Sequence, residues 1–542
     1  MNKTKLLIAT FVIALSFVRC AKDDIPYSKT NIESTFDSPK DLPIGFNDGP
    51  IILGEKLENP YSVENMQIAY DNLLKRGIKF QPDFRIYTSH FYVRFLPNDE
   101  SELDILIQDE SLELYDFPLD YQIRTRGISY HDPSLPKESI TWQYCAVQSD
   151  YKFPDIRYEI LSPLFIPEEI PEFNITSQTQ DAVYDLVTEA LRITNNLDDP
   201  EEDNRWSNWY PSGTITVFDD IVGGQIPAEG VLVRARHWFK MKWDYTNSNG
   251  YFETGAFKRK VNYLIIWRST GDYLIRDGYL FQAYYDGPKR RSPWNLDISS
   301  AKSLRIATIH RAAYRYHYLN IDGLKRPNVW TTLRICYRDK IGTGVNWGNN
   351  WMYFIGTPGL IPNIHIYGKN STGGYHSTDV LFSTTVHELG HASHIELMNG
   401  DENQFSQVSV QIRESWANTI EWYISRIEYV SLGFPNYDSP IPTTTDRDNM
   451  QNWTSIGSHL YTPLFIDVLD NYNQSTNRGT QPTNRCPDGG WFNSMHCYIG
   501  SAPSGESAFI YADNFYHTPI GCCNCPQPGS WYDGANCYGY TC

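Results

Sequence analysis

Beyond residue 18 the chain has no apolar run long enough to cross a bilayer, which excludes an ordinary membrane span in its body. Basic residues are in deficit: 46 Lys and Arg stand against 64 Asp and Glu, a net charge of -18 with a pI near 5.2. That balance argues against nucleic acid as a partner and for an acidic surface that keeps the molecule soluble. Cysteine is scarce over most of the length, with only Cys20, Cys145 and Cys336 before residue 486. What is abundant is aromatic: 38 Tyr, 25 Phe and 15 Trp, within the composition of a folded protein. A chain of 542 residues exceeds a single hydrophobic core and implies roughly three to five domains.

Residues 1–20 read as a secretion signal, because Lys3 and Lys5 precede an apolar run at 6–18 that is too short and too near the start for a membrane span. Cys20 closes that run and resembles the lipidated cysteine of bacterial lipoproteins, although Arg19 stands where a small residue is usual. Ala21-Lys22-Asp23-Asp24 resembles the acidic signal that sends Bacteroidota lipoproteins to the outer face of the outer membrane. The resemblance implies an exported protein anchored through a lipid on Cys20. Residues 21–43, polar and carrying Pro26, Pro39 and Pro43, read as a tether.

The stretch 44–172 is mixed. Met66, Ala69 and Leu73 give residues 63–74 a helical spacing, while Ile86, Phe91, Val93 and Phe95 alternate like strands. Its texture, from Tyr92-Val93-Arg94-Phe95-Leu96-Pro97 through Tyr115-Asp116-Phe117-Pro118 to Tyr130-His131-Asp132-Pro133, resembles an amino-terminal domain recurrent on Bacteroidota surface proteins. No catalytic set is recognisable there, and His131 with Asp132 reads as a turn before Pro133. A helix at 178–197 sets Ala182, Val183, Leu186, Val187, Ala190 and Leu191 on one face. The acidic run 198–203 after it lacks the spaced ligands and turn glycine of a calcium loop and reads as a solvated linker. Strands are then expected at 213–217, 230–235 and 262–267, separated by Gly and Asn turns. Gly213-Thr214-Ile215-Thr216-Val217, Gly230-Val231-Leu232-Val233 and Gly250-Tyr251-Phe252 after Thr246 resemble the transthyretin-like sandwich often attached to carboxypeptidases. That likeness implies a structural or positioning module.

The chemistry concentrates at His387-Glu388-Leu389-Gly390-His391. On a helix, two histidines four residues apart stand on one face and can bind one zinc ion, with the Glu388 carboxylate beside them. Ser377, Thr378 and Asp379 are all suitable caps for this helix, and Phe382, Val386 and Leu389 supply its buried stripe. Upstream, a helical run at 301–318 carries His310 and His317, which read as packing beside aromatics. Residues 363–368 alternate like an exposed strand.

A catalytic zinc needs three protein ligands and one open position. The metzincin continuation of the motif fails, because His394 and Leu397 occupy its glycine and histidine positions. A second helix at 412–430, buried through Trp416, Ala417, Ile420, Ile424 and Ile427, aligns Glu414, Asn418 and Glu421 on another face. Glu414-Ser415-Trp416-Ala417-Asn418 resembles the gluzincin arrangement, in which a glutamate ligand precedes a polar residue that supports a zinc-binding histidine. The resemblance implies a zinc ion held by His387, His391 and Glu414, with Asn418 behind one histidine and Glu421, two turns on, as the competing ligand. It also implies a zincin fold whose edge strand, at 363–368, holds an extended peptide by backbone hydrogen bonds. Glu388 is then the general base, and His459 and Tyr461 are candidate oxyanion donors, with His376 and His394 competing.

Seven cysteines crowd into residues 486–542, which in an exported chain means a disulfide-stapled module; an odd count implies a partner outside it or a free thiol. Zinc ligation by Cys522, Cys523 and Cys525 is the less favoured use. Cys486-Pro487, Trp491 and Cys497-Tyr498 recur as Cys525-Pro526, Trp531 and Cys537-Tyr538, resembling the Cys-rich repeats that end secreted bacterial proteins. Exposed Trp and Tyr there suit stacking on glycans.

The expected fold is α+β multidomain: a zincin-like catalytic domain with an accessory β-sandwich and a disulfide-rich C-terminal module. The expected divisions are 1–20 signal, 21–43 linker, 44–172 N-terminal α+β domain, 173–204 helix and acidic linker, 205–290 sandwich, 291–480 metallopeptidase and 481–542 Cys-rich. The expected function is zinc-dependent endopeptidase on protein or glycoprotein at the bacterial cell surface. The alternative is a surface adhesin or glycan-binding protein whose zincin domain is catalytically idle, and an intact Glu388 favours the enzyme.

Overall fold

The computed structural model describes residues 46–437, except 175, 198–206, 270, 320–323, 325, 328–331, 343, 347–363, 398–404, 407–409 and 436. The signal with Cys20, the tether, the acidic run 198–203, His459, Tyr461 and the Cys-rich module lie outside the described residues. The described chain is mixed α/β, with five sheets and six α-helices.

Its first part runs β1 (Ile52–Lys56), α1 (Val63–Lys75), β2 (His90–Phe95), α2 (Glu100–Gln108), β3 (Tyr121–Thr125), β4 (Gln143–Gln148), β5 (Tyr158–Leu164) and α3 (Ser177–Ile193). β2 is the centre of an antiparallel sheet between β4 and β5, and β1 pairs with β3. Ser62 caps α1 by accepting from the Asn65 amide at 3.1 Å, and the helix buries Met66, Ala69 and Leu73, the face its spacing predicts. A reciprocal Thr176 and Thr179 cap starts α3. Val183, Leu186 and Val187 of α3 share one buried cluster with Met66 and Ala69 of α1 and with Leu264 and Ile266 further on. The helix expected between domains is therefore core to the first part. His131 and Asp132 lie in a turn, as expected, where Asp132 accepts from the Ser134 amide at 2.9 Å.

The next strands are β6 (Ser212–Asp219), β7 (Gly224–Pro227), β8 (Leu232–His237), β9 (Lys240–Tyr245), β10 (Tyr251–Glu253), β11 (Val261–Ile266), β12 (Arg268–Ser269), β13 (Tyr273–Asp277), β14 (Phe281–Gln282), β15 (Tyr284–Arg290) and β16 (Leu296–Ile298). Two four-stranded sheets form from them: β10-β6-β16 with β7 on β6, and β15-β11-β8-β9. Alternation along β6 buries Ile215 and Val217 in one cluster with Val233, Ala235, Tyr263 and Ile265 of the other sheet.

The remaining elements are α4 (Ala301–Tyr318), β17 (Leu333–Ile341), β18 (Gly344–Asn346), β19 (Ile364–Lys369), α5 (Thr378–Leu397) and α6 (Val410–Ser431). Strand pairing crosses residue 290 in both directions. β12, β13 and β14, inserted between β11 and β15, join β17, β19 and β18 in a six-stranded sheet, whereas β16 returns to pair with β6. Within the six-stranded sheet β13, β17 and β19 are parallel and β18 is antiparallel. The strand expected to be exposed is instead interior: Ile364, His365 and Ile366 are buried, because β18 covers its outer edge. α4 and α5 pack against this sheet and α6 packs against α5, with Ile309, Phe382, Val386, Leu389, Trp416 and Ile420 in one cluster with Ile335 and Ile366. Ile427, expected in the core, is exposed. His310 packs among aromatics as expected, its ring 5.3 Å from that of Trp267, and His317 lies 5.1 Å from Tyr273.

Candidate metal centre

The motif helix is fixed at its start by the turn after β6. The Thr378 amide donates to the Asp220 carboxylate at 2.7 Å, and Thr378 Oγ1 accepts from the Asp220 amide at 2.7 Å. A helix's first amides have no partner of their own, and a carboxylate at that positive end both accepts a hydrogen bond and complements the dipole. α5 then runs inward, so His387, Glu388 and His391 are all buried.

Opposite it, α6 approaches at Gly390. A Cβ placed there would stand 3.3 Å from Ala417 Cα, closer than ordinary van der Waals contact. The absent side chain lets α6 come near enough for Glu414 to reach both histidines. Glu414 Oε2 lies 3.3 Å from His387 Nε2 and 3.6 Å from His391 Nε2. The ligand atoms of all three residues fall within 4.8 Å of one another, and no fourth His, Cys, Asp or Glu joins them among the described residues. Zinc bonds of about 2.0–2.1 Å in tetrahedral geometry separate neighbouring ligand atoms by about 3.3–3.4 Å, near the spacing of the two Glu414 contacts, while the widest pair would close in around the ion.

Protonation suits the same use. Burial lowers the pKa of His391 against the pull of Glu414, which favours the neutral, metal-binding imidazole. Burial alone would raise Glu414, but His391 first and then His387, both facing it, hold it well below the usual carboxylate range.

The sequence-predicted support of the histidines is corrected by the geometry. Asn418 is half-buried and bonds to neither histidine. Glu421, read above as a competing ligand, accepts from His387 Nδ1 at 3.1 Å. Glu414 and Glu421 thus approach opposite nitrogens of one ring. A hydrogen on Nδ1 leaves the Nε2 lone pair free to face the metal position, which is how a carboxylate behind a histidine selects its tautomer.

The helices are locked by a buried charge network that the sequence did not signal. Arg311 of α4 donates to Asp219 at 2.7 Å, to Glu428 at 3.2 Å and to Tyr429 at 3.2 Å, and Tyr429 donates to Asp219 at 2.9 Å. The two competing oxyanion candidates have structural partners. His394 packs against Phe405 and Trp416, with ring centroids 5.1 and 5.9 Å away, and His376 Nε2 donates to the Gly342 carbonyl at 2.9 Å.

No protein family, curated protein or solved structure matches the chain.

Proposed function

We propose that this chain is a zinc-dependent endopeptidase of gluzincin type, with a zincin-like catalytic domain. The observation that carries the reading is the convergence of His387, His391 and Glu414 at ligand spacing, with Glu388 between the histidines. Three ligands and no fourth among the described residues leave a position for water and substrate, as catalysis requires and a structural zinc does not. A zinc ion bound there would polarise the scissile carbonyl and lower the pKa of its water toward about 7. Glu388, beside the two histidines, would serve as the general base for such a water and as the acid for the leaving amine. Glu421 keeps His387 in the liganding tautomer. β18 pairs on one side only among the described residues and lies against α5, so an extended peptide can add to its other side by backbone hydrogen bonds. This moves the expected peptide-binding strand from 363–368 to β18.

The substrates we infer are proteins or glycoproteins outside the cell, reached from an outer-membrane anchor on Cys20. In the test, wild type should hold one zinc per chain and cleave members of a peptide library. Glu388→Gln should keep the zinc and lose rate by roughly 10²–10⁴-fold. If both proteins hold zinc, cleave nothing and bind glycans, the adhesin reading replaces the peptidase. Cys20→Ala should move the protein from the membrane fraction to the soluble fraction; unchanged membrane attachment removes the anchor.

A further inference from the structure

α3, the β8-β9 hairpin and the segment at 256–259 enclose a cavity of about 140 Å³, whose lining includes Tyr184, His237, Lys240, Lys258 and Arg259. It shares no residue with the metal centre. Lys240 and Arg259 place two cations on its wall in a protein of net charge -18, beside one carboxylate, Glu168, whose charged form burial disfavours against the pull of both.

Two buried side chains on its wall have unmet hydrogen-bonding capacity. Arg259, 3% exposed, donates from Nη2 to the Tyr184 carbonyl and Thr188 Oγ1, while its Nη1 has no partner. His237, 4% exposed, donates from Nδ1 to the Lys260 carbonyl at 3.1 Å, which leaves Nε2 as an acceptor with no donor. Burial, with the nearby charge of Arg259, holds His237 well below its ordinary pKa, so the ring stays neutral and Nε2 keeps its lone pair. Buried donors and acceptors are almost always satisfied, so each of these atoms calls for a partner. Water can meet either one, but it cannot supply the negative charge that Lys240 and Arg259 favour.

We propose that this cavity binds a small α-hydroxy carboxylate, the carboxylate held by Arg259 and Lys240 and the hydroxyl donated to His237 Nε2. Size sets the class: a void of about 150 Å³ accommodates benzene, so about six non-hydrogen atoms fit here, the size of lactate.

The test is calorimetric titration of the intact zinc-loaded protein with lactate, propionate and 1,2-propanediol. Lactate should bind saturably, and propionate, lacking the hydroxyl, roughly tenfold more weakly. Propanediol, lacking the charge, should not bind measurably. Because α-hydroxy carboxylates also coordinate zinc, two variants locate the heat. Ala256→Leu fills the cavity from its half-buried wall, and Lys240→Gln removes a charge without emptying the core. Ala256→Leu should abolish lactate binding and Lys240→Gln should weaken it severalfold, both with zinc content and melting temperature unchanged. The proposal is overturned if wild type shows no saturable lactate binding, if propanediol binds as tightly, or if Ala256→Leu binds lactate as wild type does.

Discussion

Removing the Glu421 carboxylate tests whether it, and not Asn418, supports His387 at the candidate metal centre. Glu421 is 3% exposed and accepts from His387 Nδ1 at 3.1 Å, so its charge acts on the ring in a poorly screened setting. When His387 binds a cation through Nε2, its Nδ1 proton becomes more acidic and the bond to the carboxylate strengthens. Loss of such a partner typically weakens metal affinity by about 10–100-fold, or about 1.4–2.8 kcal/mol. Glu421→Ala should lie near the upper end, since it also frees the ring to turn. Glu421→Gln keeps an acceptor without the charge and should lie near the lower end. Asn418→Ala, which breaks no bond to either histidine, should change affinity by about twofold or less. The assay is competition for zinc against a chromophoric chelator at fixed pH, with far-ultraviolet circular dichroism to show that each variant is folded. Equal affinities for Glu421→Ala and wild type, or a larger loss in Asn418→Ala, would refute the geometric argument.

Two further perturbations follow from particular contacts. Gly390→Ala gains about 1 kcal/mol of helix propensity but presses on Ala417 Cα at 3.3 Å, so the two effects should nearly cancel in urea denaturation. Gly390→Val should cost about 1–3 kcal/mol by overpacking and, by moving Glu414 outward, weaken zinc at least about tenfold; unchanged zinc affinity would sink the close-packing account. Asp286 is fully buried, and burial, only partly opposed by Arg126 and Arg236, pushes its pKa from 3.8 to about 7. The folded chain then keeps a proton that the unfolded chain releases between those values, so this residue makes stability fall as pH rises through that window. Asp286→Asn should remove that decline and stabilise the protein at pH 8 relative to pH 4 by up to about 4 kcal/mol, read from urea midpoints of both proteins. A variant whose stability follows wild type at every pH would show that Asp286 ionises freely.

The readable parts of the centre were those set by helical period. His387 and His391 lie one turn apart within α5, and the choice of Glu414 rested on a second local pattern, so neither needed knowledge of how the helices cross. Asn418 failed for the opposite reason. Which residue of α6 reaches Nδ1 of His387 depends on the approach of two helices at Gly390 and Ala417, and that contact is not encoded in the spacing of either segment. The sheet shows the same limit. β6, with eight alternating residues, was legible, but β18 has three and β12 has two, too few for a period to emerge. Missing β18 made β19 look like an edge, and missing β12 to β14 placed a boundary at 290 across strands that pair elsewhere.

The interleaving has a mechanical consequence at the turn after β6. Asp219 and Asp220 are adjacent in sequence, yet they bind different helices. Asp219 accepts from Arg311 of α4 and Tyr429 of α6, while Asp220 accepts from the first amide of α5. The turn after β6 therefore joins all three helices around the candidate metal centre. Burial would raise the Asp219 pKa, but Arg311 and its hydrogen bonds bring it below the usual range, so the carboxylate stays charged where the network needs it. A buried ion pair is weak evidence for net stability but strong evidence for position, because breaking it strands a charge. The strand pairing supports the same inference: β13 enters the six-stranded sheet from between β11 and β15 of a four-stranded sheet, so neither sheet can shift without pulling on the other. On these contacts the turn after β6 and its sheet position the helices that carry the candidate metal ligands, and the cavity beside α3 is left for separate chemistry.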